Sequence, residues 1–536
     1  MFLHLILRSV SKSRLTIVML RKDNFCNGKT TTEKTSFNSE KDTNMADYES
    51  AIQKLNTLQS NAASIRQSII NKKMLTNLDD TVKYLNRSGI SLEQLDKLSV
   101  IHVSGTKGKG STCALSESIL REYGIRTGFF SSPHLVSVTE RIRINGEAIS
   151  KEKFSKIFWK VFNRLDKHKE SDTDLPAYFK FLTILCFHVF FEEKVDVAIL
   201  EVGIGGEYDS TNVVRNTTTA GITSLGLEHT NILGDTIEEI TIQKSGIIKP
   251  FSKVYTNVYQ EACLDILKKK AAQKEAKLIQ VPKISEYYWP KGVEVDKLNK
   301  MAQLNGSLAI QLAYNWLRKS GTQDLNGLSE EIKSDDITLA ISDRVVKAFD
   351  NCVWPGRCQT MDFHNLRIHL DGAHTPESMK ICGDWFKSVT TESENIPKIL
   401  IFNATGERDS KALLTILSQR AKFDFACFVP NVPFTLKAVG DIQSAYGHQD
   451  QIQRAEMHAR NWRYLTSNGI SQQGESRLFE TILEAFLFLK ETFENRNIEI
   501  LVTGSIHLLG ATILALEEFE KCCQAQSFEN KFKSEK

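Results

Sequence analysis

From Leu98 onward, short apolar runs rich in β-branched residues alternate with stretches whose apolar side chains recur every three to four positions. The first pattern suits a strand buried on both faces and the second suits one face of a helix. The alternation therefore predicts an α/β protein, with parallel sheets covered by helices. In the first half the expected strands are Val100 to Val103, Val195 to Leu200, Ala220 to Ser224 and Val254 to Thr256, with helices at Ser111 to Tyr123, Phe179 to Phe191 and Ile237 to Ile248. A polar stretch from Lys319 to Asp336, containing Gly321 and Gly327, holds no clear strand. Beyond it, strands are expected at Leu366 to Leu370, Ile399 to Phe402, Phe425 to Val429 and Ile498 to Val502, with helices at Pro376 to Ser388 and Ala412 to Gln419. Two doubly wound domains follow, drawn at residues 45–338 and 339–536. Between Gln443 and Glu475 the pattern fades, and an insertion or loop-rich stretch is expected there.

Composition narrows the class. The 536 residues allow roughly two to four domains and a cleft between them. With 41% hydrophobic and 25% charged residues the chain matches a globular protein. No apolar run approaches the roughly 20 residues of a membrane-spanning helix, so none is expected. A net charge of +3 implies no strongly basic nucleic-acid surface. The ten cysteines form neither C-x-x-C pairs nor a dense disulfide framework, and are read as reduced thiols of a cytosolic or mitochondrial-matrix protein. Residues Met1 to Lys22 carry Arg8, Lys12, Arg14, Arg21 and Lys22 among serines, with no acid before Asp23, which is transit-peptide chemistry. A secretory signal is the rival, but its apolar core would be cut by Arg8 and Lys12; a tail with no address is the plain alternative. Asp23 to Asn44 is polar and expected to be disordered. Met45 offers a second start without this leader, so the expected locations are the mitochondrion (matrix or inner-membrane associated) and the cytoplasm.

The chemistry begins at Val100-Ile-His-Val-Ser-Gly-Thr-Lys-Gly-Lys-Gly-Ser-Thr112, a strand running through a glycine-rich loop into an amphipathic helix. Glycines let backbone N–H groups converge on phosphate oxygens, the helix N-terminus adds its dipole, Lys109 supplies charge and Ser111 a hydroxyl. The spacing departs from G-x-x-x-x-G-K-[ST], because only Thr106 and Lys107 separate Gly105 from Gly108 and Gly110 stands between Lys109 and Ser111. Next, Val195-Asp-Val-Ala-Ile-Leu-Glu-Val-Gly-Ile-Gly-Gly206 delivers Glu201 to a strand end, where a carboxylate can bind magnesium or simply meet solvent. Leu225-Gly-Leu-Glu-His-Thr230 places His229 similarly, a structural histidine or a ligand. In the second half, Trp354-Pro-Gly-Arg357 offers a phosphate clamp, and Asp371 in Leu366-Arg-Ile-His-Leu-Asp-Gly-Ala-His-Thr375 a ribose acceptor. Asn403, Asp409, Ser505 and His507 crowd matching strand ends, and turn or capping chemistry explains any one of them alone.

Taken together and in order, these segments resemble the eukaryotic folylpolyglutamate synthases of the Mur ligase superfamily. The resemblance also covers Leu55-Asn-Thr-Leu-Gln-Ser-Asn61, Gly128-Phe-Phe-Ser-Ser-Pro-His-Leu135, Glu140-Arg-Ile-Arg-Ile-Asn-Gly146, Leu175-Pro-Ala-Tyr-Phe-Lys-Phe-Leu-Thr183, Leu233-Gly-Asp-Thr236, Phe402-Asn-Ala-Thr-Gly-Glu-Arg-Asp409 and Val502-Thr-Gly-Ser-Ile-His-Leu-Leu-Gly510. It implies a Mur-ligase-like P-loop ATPase domain with a mostly parallel sheet, a smaller C-terminal Rossmann-like domain, and ATP and folate bound between them. The implied reaction transfers phosphate from ATP to the γ-carboxylate of a tetrahydrofolate's glutamate, and the amine of L-glutamate attacks the acyl phosphate. The implied ATP contacts are Gly108, Lys109, Gly110, Ser111, Asn305, Arg357 and Asp371, and the implied Mg2+ ligands are Ser132, Glu201 and His229. Lys109, His229 and Lys244 would be catalytic, Lys244 matching a lysine that superfamily members carbamylate to bridge a second metal. Pro176 and Tyr178 fall in a folate-contacting segment. A monovalent cation such as K+ and a monomeric state complete the expectation. One departure stands out: the family's His-Gln before Asn305 is Met301-Ala302 here, which puts the adenine contacts in doubt. Dihydrofolate synthase, a folate- or nucleotide-binding pseudoenzyme and an ordinary P-loop NTPase remain the alternatives.

Overall fold

The computed structural model describes residues 36–59, 76–320, 340–393, 395–406, 408–434, 448–467, 474–494 and 496–534. Its first sheet has eight strands: β1 (Val100–Ser104), β2 (Thr127–Phe130), β3 (Ile142–Ile144), β4 (Glu147–Ala148), β5 (Val197–Glu201), β6 (Thr219–Ile222), β7 (Lys253–Thr256) and β8 (Lys277–Gln280). They lie in the order β4-β3-β2-β5-β1-β6-β7-β8. Every pairing is parallel except β2 with β3 and β3 with β4. The sequence reading finds β1, β5, β6 and β7 to within about two residues and misses β2, β8 and the β3–β4 hairpin, whose strands of three and two residues are too short to carry a pattern.

β1 lies between β5 and β6, and all five of its residues are buried. The pleat sends alternate side chains to opposite faces. Val100 joins an aromatic core with Phe130, Phe158 and Phe181, whereas Ile101 and Val103 join Leu115, Ile119, Leu312 and Trp316. Fully burying one such side chain contributes about 1.5–3 kcal/mol, so these layers fix where the strand ends point. Helix α1 (Lys109–Glu122) follows β1, α2 (Tyr178–Glu193) precedes β5, and α3 (Ile237–Ser245) lies between β6 and β7. Helix α4 (Lys300–Ser320) packs against α1, where Ser116 Oγ donates to the Ala309 carbonyl at 3.3 Å.

The second sheet is built from β9 (Gln359–Phe363), β10 (Leu366–Asp371), β11 (Lys398–Phe402), β12 (Phe425–Phe428), β13 (Glu475–Leu478) and β14 (Ile498–Thr503), in the order β13-β12-β11-β14-β10-β9. Only β9 runs antiparallel to its neighbour. Helix α5 (Pro376–Val389) follows β10, and its N-cap is Thr375, whose side chain accepts from the Ser378 N–H. Asp47–Lys536 form one compact unit containing both sheets.

Three segments differ from expectation or fall outside it. A helix, α6 (His448–Ser467), occupies most of the region read as loop-rich. Gln451, Ala455, His458, Ala459, Trp462 and Leu465 form its buried stripe, and polar neighbours hide that period in the sequence. A helix also spans Ser36–Thr57, so it begins inside the segment read as disordered leader; Lys41, Met45 and Ala46 there are good helix formers. Most of the polar Lys319 to Asp336 stretch lies outside the described residues, as do Met1 to Thr35. Among the described residues no helix is long and apolar enough to cross a membrane.

Candidate functional site

The carboxyl end of β1 leads directly into the glycine-rich loop. Gly105 has φ +146° and Gly108 φ +90°, in the region only glycine enters freely. A Cβ on Gly105 would lie 1.8 Å from Thr223 Oγ1, and one on Gly108 would lie 2.2 Å from Asn305 Oδ1. The Thr106 and Lys107 N–H groups both donate to the Ser224 carbonyl, at 2.9 and 3.3 Å, and Thr106 Oγ1 donates to the Gly226 carbonyl at 3.1 Å. Gly108 is the N-cap of α1, so the first-turn N–H groups of Lys109, Gly110 and Ser111 have no partner within the helix and suit an anion. Lys109 Nζ folds back to donate to the Gly105 carbonyl at 3.0 Å. Lys244 Nζ donates to the same carbonyl at 2.8 Å.

Glu201 ends β5, in register with Val103 of β1. Only 5% exposed, its carboxylate accepts from the Ser132 N–H at 3.1 Å. A Cβ on Gly110 would lie 3.2 Å from Glu201 Oε2, so the carboxylate abuts the N-terminal turn of α1. Burial raises its pKa, opposed by Lys109, the Ser132 N–H, Arg357 and Arg141. Asp209 accepts from the Gly203 and Ile204 N–H groups at 3.1 and 3.0 Å and fixes the glycine loop beyond Glu201. His229 has φ +54° and caps the short helix Thr230–Leu233; burial lowers its pKa against the pull of Glu228. Among the described residues no three His, Cys, Asp or Glu side chains gather as a metal site. One carboxylate, a hydroxyl and an imidazole beside a phosphate loop still suit Mg2+, which takes most of its ligands from phosphates and water.

From the second sheet, Asp371 ends β10 at 8% exposure. Its oxygens accept from the Cys358 and Ala373 N–H groups at 2.9 and 3.0 Å. Those bonds tie the Trp354-Pro-Gly-Arg357 turn to the strand end, and burial raises the pKa of the carboxyl, with Arg357 opposing. The next strand-end groups form a bridge to the first sheet. Lys107 Nζ donates to Glu228 Oε1 at 2.7 Å and lies 3.0 Å from His374 Nε2, which is itself 3.2 Å from Glu228 Oε1. Burial disfavours the Glu228 charge, yet His374 and Lys107 outweigh it and hold the carboxyl below its ordinary range.

Most of these groups line one cavity of about 890 Å3; Gly105, Thr223 and Lys244 do not. It gathers Gly108, Lys109, Gly110, Ser111, Ser132, Glu201, His229, Asn305, Arg357 and Asp371, with Ser505 and His507. Lys244 sits behind the loop, 3% exposed, not on a solvent face. Pro176 and Tyr178 do not line the cavity: Pro176 is buried and Tyr178 packs against the aromatic core, while Phe179 beside them does line it. Met301 lines it too, but Ala302 is fully buried in the core, so only one member of the substituted pair faces the site. Asp409 N-caps Ser410–Ser418 through the Ala412 N–H, and Asn403 Nδ2 donates to the Val429 carbonyl, which is the capping and turn chemistry first weighed for them. Sequence reasoning passed over Lys107, Glu228, His374, Arg141 and Arg143. The second lysine of the loop and the histidine of Asp-Gly-Ala-His were the available signals.

No family model matches the chain. It is 41% identical over 448 residues to "Folylpolyglutamate synthase, mitochondrial" of Bos taurus, covering 79% of this chain and 75% of that protein. To the Homo sapiens protein of the same name it is 42% identical over 443 residues, covering 78% and 74%. The chain belongs to the folylpolyglutamate synthase family. Solved structures share the fold: Mycobacterium tuberculosis folylpolyglutamate synthase complexed with ADP has a TM-score of 0.65 at 20% identity, covering 88% of this chain and 99% of that one. A bifunctional folylpolyglutamate synthase/dihydrofolate synthase from Yersinia pestis, complexed with AMPPNP and Mn ion, has a TM-score of 0.59 at 24% identity, covering 82% and 93%. The folylpolyglutamate synthase fold of this chain is thus the Mur-ligase-like pair of α/β sheets described above.

Proposed function

We propose that this chain uses ATP to activate the γ-carboxylate of a tetrahydrofolate's glutamate as an acyl phosphate and joins it to the amine of L-glutamate. Membership of the family makes it an ATP-dependent folate-polyglutamylating ligase. The observation that carries the finer reading is the single cavity where the phosphate loop, Glu201 and the Arg357 turn of the second sheet meet. An unactivated carboxylate is a poor electrophile, so the work of the site is positioning and charge neutralisation. The N–H groups of Lys109, Gly110 and Ser111 and the loop Gly108 would cradle phosphates; Arg357 and Asp371 would complete the nucleotide site, with Asn305 beside it. Ser132, Glu201 and His229 would hold Mg2+, which when bound screens phosphate charge; a divalent ion is supported by the Mn-bound relative, and K+ is the further expectation. Pro176 and Tyr178 serve in this reading as the segment that turns Phe179 toward folate. The division at residues 338 and 339 falls between β8 and β9, which belong to different sheets.

The deciding assay gives the protein from Met45 onward Mg-ATP, labelled glutamate and either tetrahydrofolate or dihydropteroate. Incorporation on tetrahydrofolate is expected. Incorporation on dihydropteroate alone would make it a dihydrofolate synthase, and binding without incorporation a pseudoenzyme. A mitochondrial location is supported by the names of the bovine and human relatives. The cytoplasmic form from Met45 is the finer proposal, tested by fusing residues 1–44 to a reporter: a purely cytosolic signal would sink the leader. Monomeric behaviour is checked by sedimentation, where a dimer-sized species would count against it.

Lys244 carries a pH prediction. Burial, then the Lys109 charge, pushes its amine down to about 7. Between that value and the ordinary 10.5 the unfolded chain holds a proton that the folded chain does not, so this group makes stability rise with pH across the window. A neutral amine near pH 7 is also the form that adds CO2 to give a carbamate. Lys244→Met is expected to flatten the rise of Tm between pH 7 and 9; an unchanged slope would refute the shift.

A further inference from the structure

The bridge of Lys107, Glu228 and His374 crosses from the first sheet to the second inside the cavity, and none of its three side chains is among the groups assigned above to phosphate or metal. His374 Nδ1 lies 2.7 Å from the Gly372 carbonyl, so that nitrogen carries the hydrogen and donates it. Nε2 is then the lone-pair nitrogen. The Lys107 ammonium, 3.0 Å away, donates to it while also donating to Glu228 Oε1. A protonated imidazole would instead set two donors against each other at 3.0 Å. Burial lowers the His374 pKa, against the pull of the nearby Glu228 carboxylate on the protonated form. The other charged or titratable groups acting on it are Lys107 and Glu228 from the first sheet and Arg408 from the second, and His507 senses it in turn.

We infer that His374 Nε2 is the base that takes the proton from the attacking amine, with Lys107 and Glu228 as the positioning residues that hold it. The inference rests on the ligase reading above. In the step, the nitrogen lone pair of the uncharged glutamate amine forms the N–C bond at the acyl carbon. The C–O bond to phosphate breaks and phosphate leaves with that electron pair. The proton on the nitrogen passes to His374 Nε2. Phosphate in the neighbouring loop attracts the Lys107 ammonium, which frees the Nε2 lone pair. The imidazolium then donates to Glu228 Oε1, already 3.2 Å away, so its charge is neutralised where it forms.

The test separates activation from amide formation. With tetrahydrofolate and no glutamate, reversible acyl phosphate formation scrambles oxygen-18 between the bridging and non-bridging positions of [γ-18O]ATP. His374→Ala and His374→Gln are expected to keep this exchange within about threefold of wild type, which also shows they are folded. Glutamate ligation should fall by about 10² to 10⁴, the usual worth of general base catalysis. Hydroxylamine, a far weaker base than the glutamate amine, forms an adduct acidic enough to lose its proton to water, so it should be converted to the hydroxamate at near wild-type rates by both variants. Ligation at the wild-type rate would overturn the inference, and so would loss of exchange in parallel with ligation, which would assign His374 to nucleotide binding. Absence of exchange and of ligation in the wild-type protein would instead overturn the ligase reading beneath it.

Discussion

Gly108→Ala is expected to reduce ATP-dependent ligation by about a hundredfold or more while the protein stays folded. Two penalties act at this position. A backbone at φ +90° costs an alanine roughly 1–2 kcal/mol. The added methyl would also sit 2.2 Å from Asn305 Oδ1, so either the loop or Asn305 must move. If Asn305 moves, it loses the bond from Nδ2 to the Met301 carbonyl, 3.1 Å long, one turn back in α4. If the loop moves, the first N–H groups of α1 no longer converge on the phosphate, and a misplacement near 1 Å can cost about a hundredfold. The measurement is steady-state ADP release with tetrahydrofolate and glutamate, alongside a thermal melt. A variant with wild-type kcat/KM for ATP would show that this loop does not hold the nucleotide.

Glu201→Gln is expected to divide activity from stability. The carboxylate is buried at the helix N-terminus, and its pKa is raised. For a carboxyl shifted upward, the folded state holds its proton to higher pH than the unfolded state, so stability is lost as pH rises through that window. At neutral pH the charged form is therefore a cost to folding that a neutral amide removes, while Gln keeps an oxygen for the Ser132 N–H. Tm should hold or rise by a few degrees, on the order of 2–4 °C per kcal/mol relieved. Ligation should fall by about 10² to 10³, since the anionic ligand proposed for Mg2+ is lost and with it the screening of the reacting phosphates. A drop in Tm together with retained activity would make Glu201 a structural acid.

These effects concentrate where the sequence was most readable. β1, β5 and β14 are recognisable because a strand buried on both faces is rich in apolar and β-branched residues, and β10 because Leu366, Ile368 and Leu370 alternate with polar positions; all four lead to loops that meet in the cavity. The glycines of the loop are legible for a similar reason, since positive φ leaves no other residue comfortable. Exposure erases this signal: β4 is exposed on both residues, and β13 is mostly exposed. The bridge of Lys107, Glu228 and His374 was passed over for a different reason: its lysine and histidine stand in readable motifs, but nothing in the sequence pairs them. Its members stand far apart in the chain, and only the packing of two sheets brings them together. Packing likewise divides Met301-Ala302: Ala302 packs in the core, while Met301 lines the cavity and carries the departure from the family's pair.

The loop's anchorage has a kinetic consequence. Because Thr106 and Lys107 hang from the Ser224 carbonyl and the Gly105 carbonyl accepts from the side-chain nitrogens of Lys109 and Lys244, the loop has its shape before any nucleotide arrives. Binding then pays little ordering entropy on that side. Nucleotide capture is therefore expected to be fast and set by diffusion and charge.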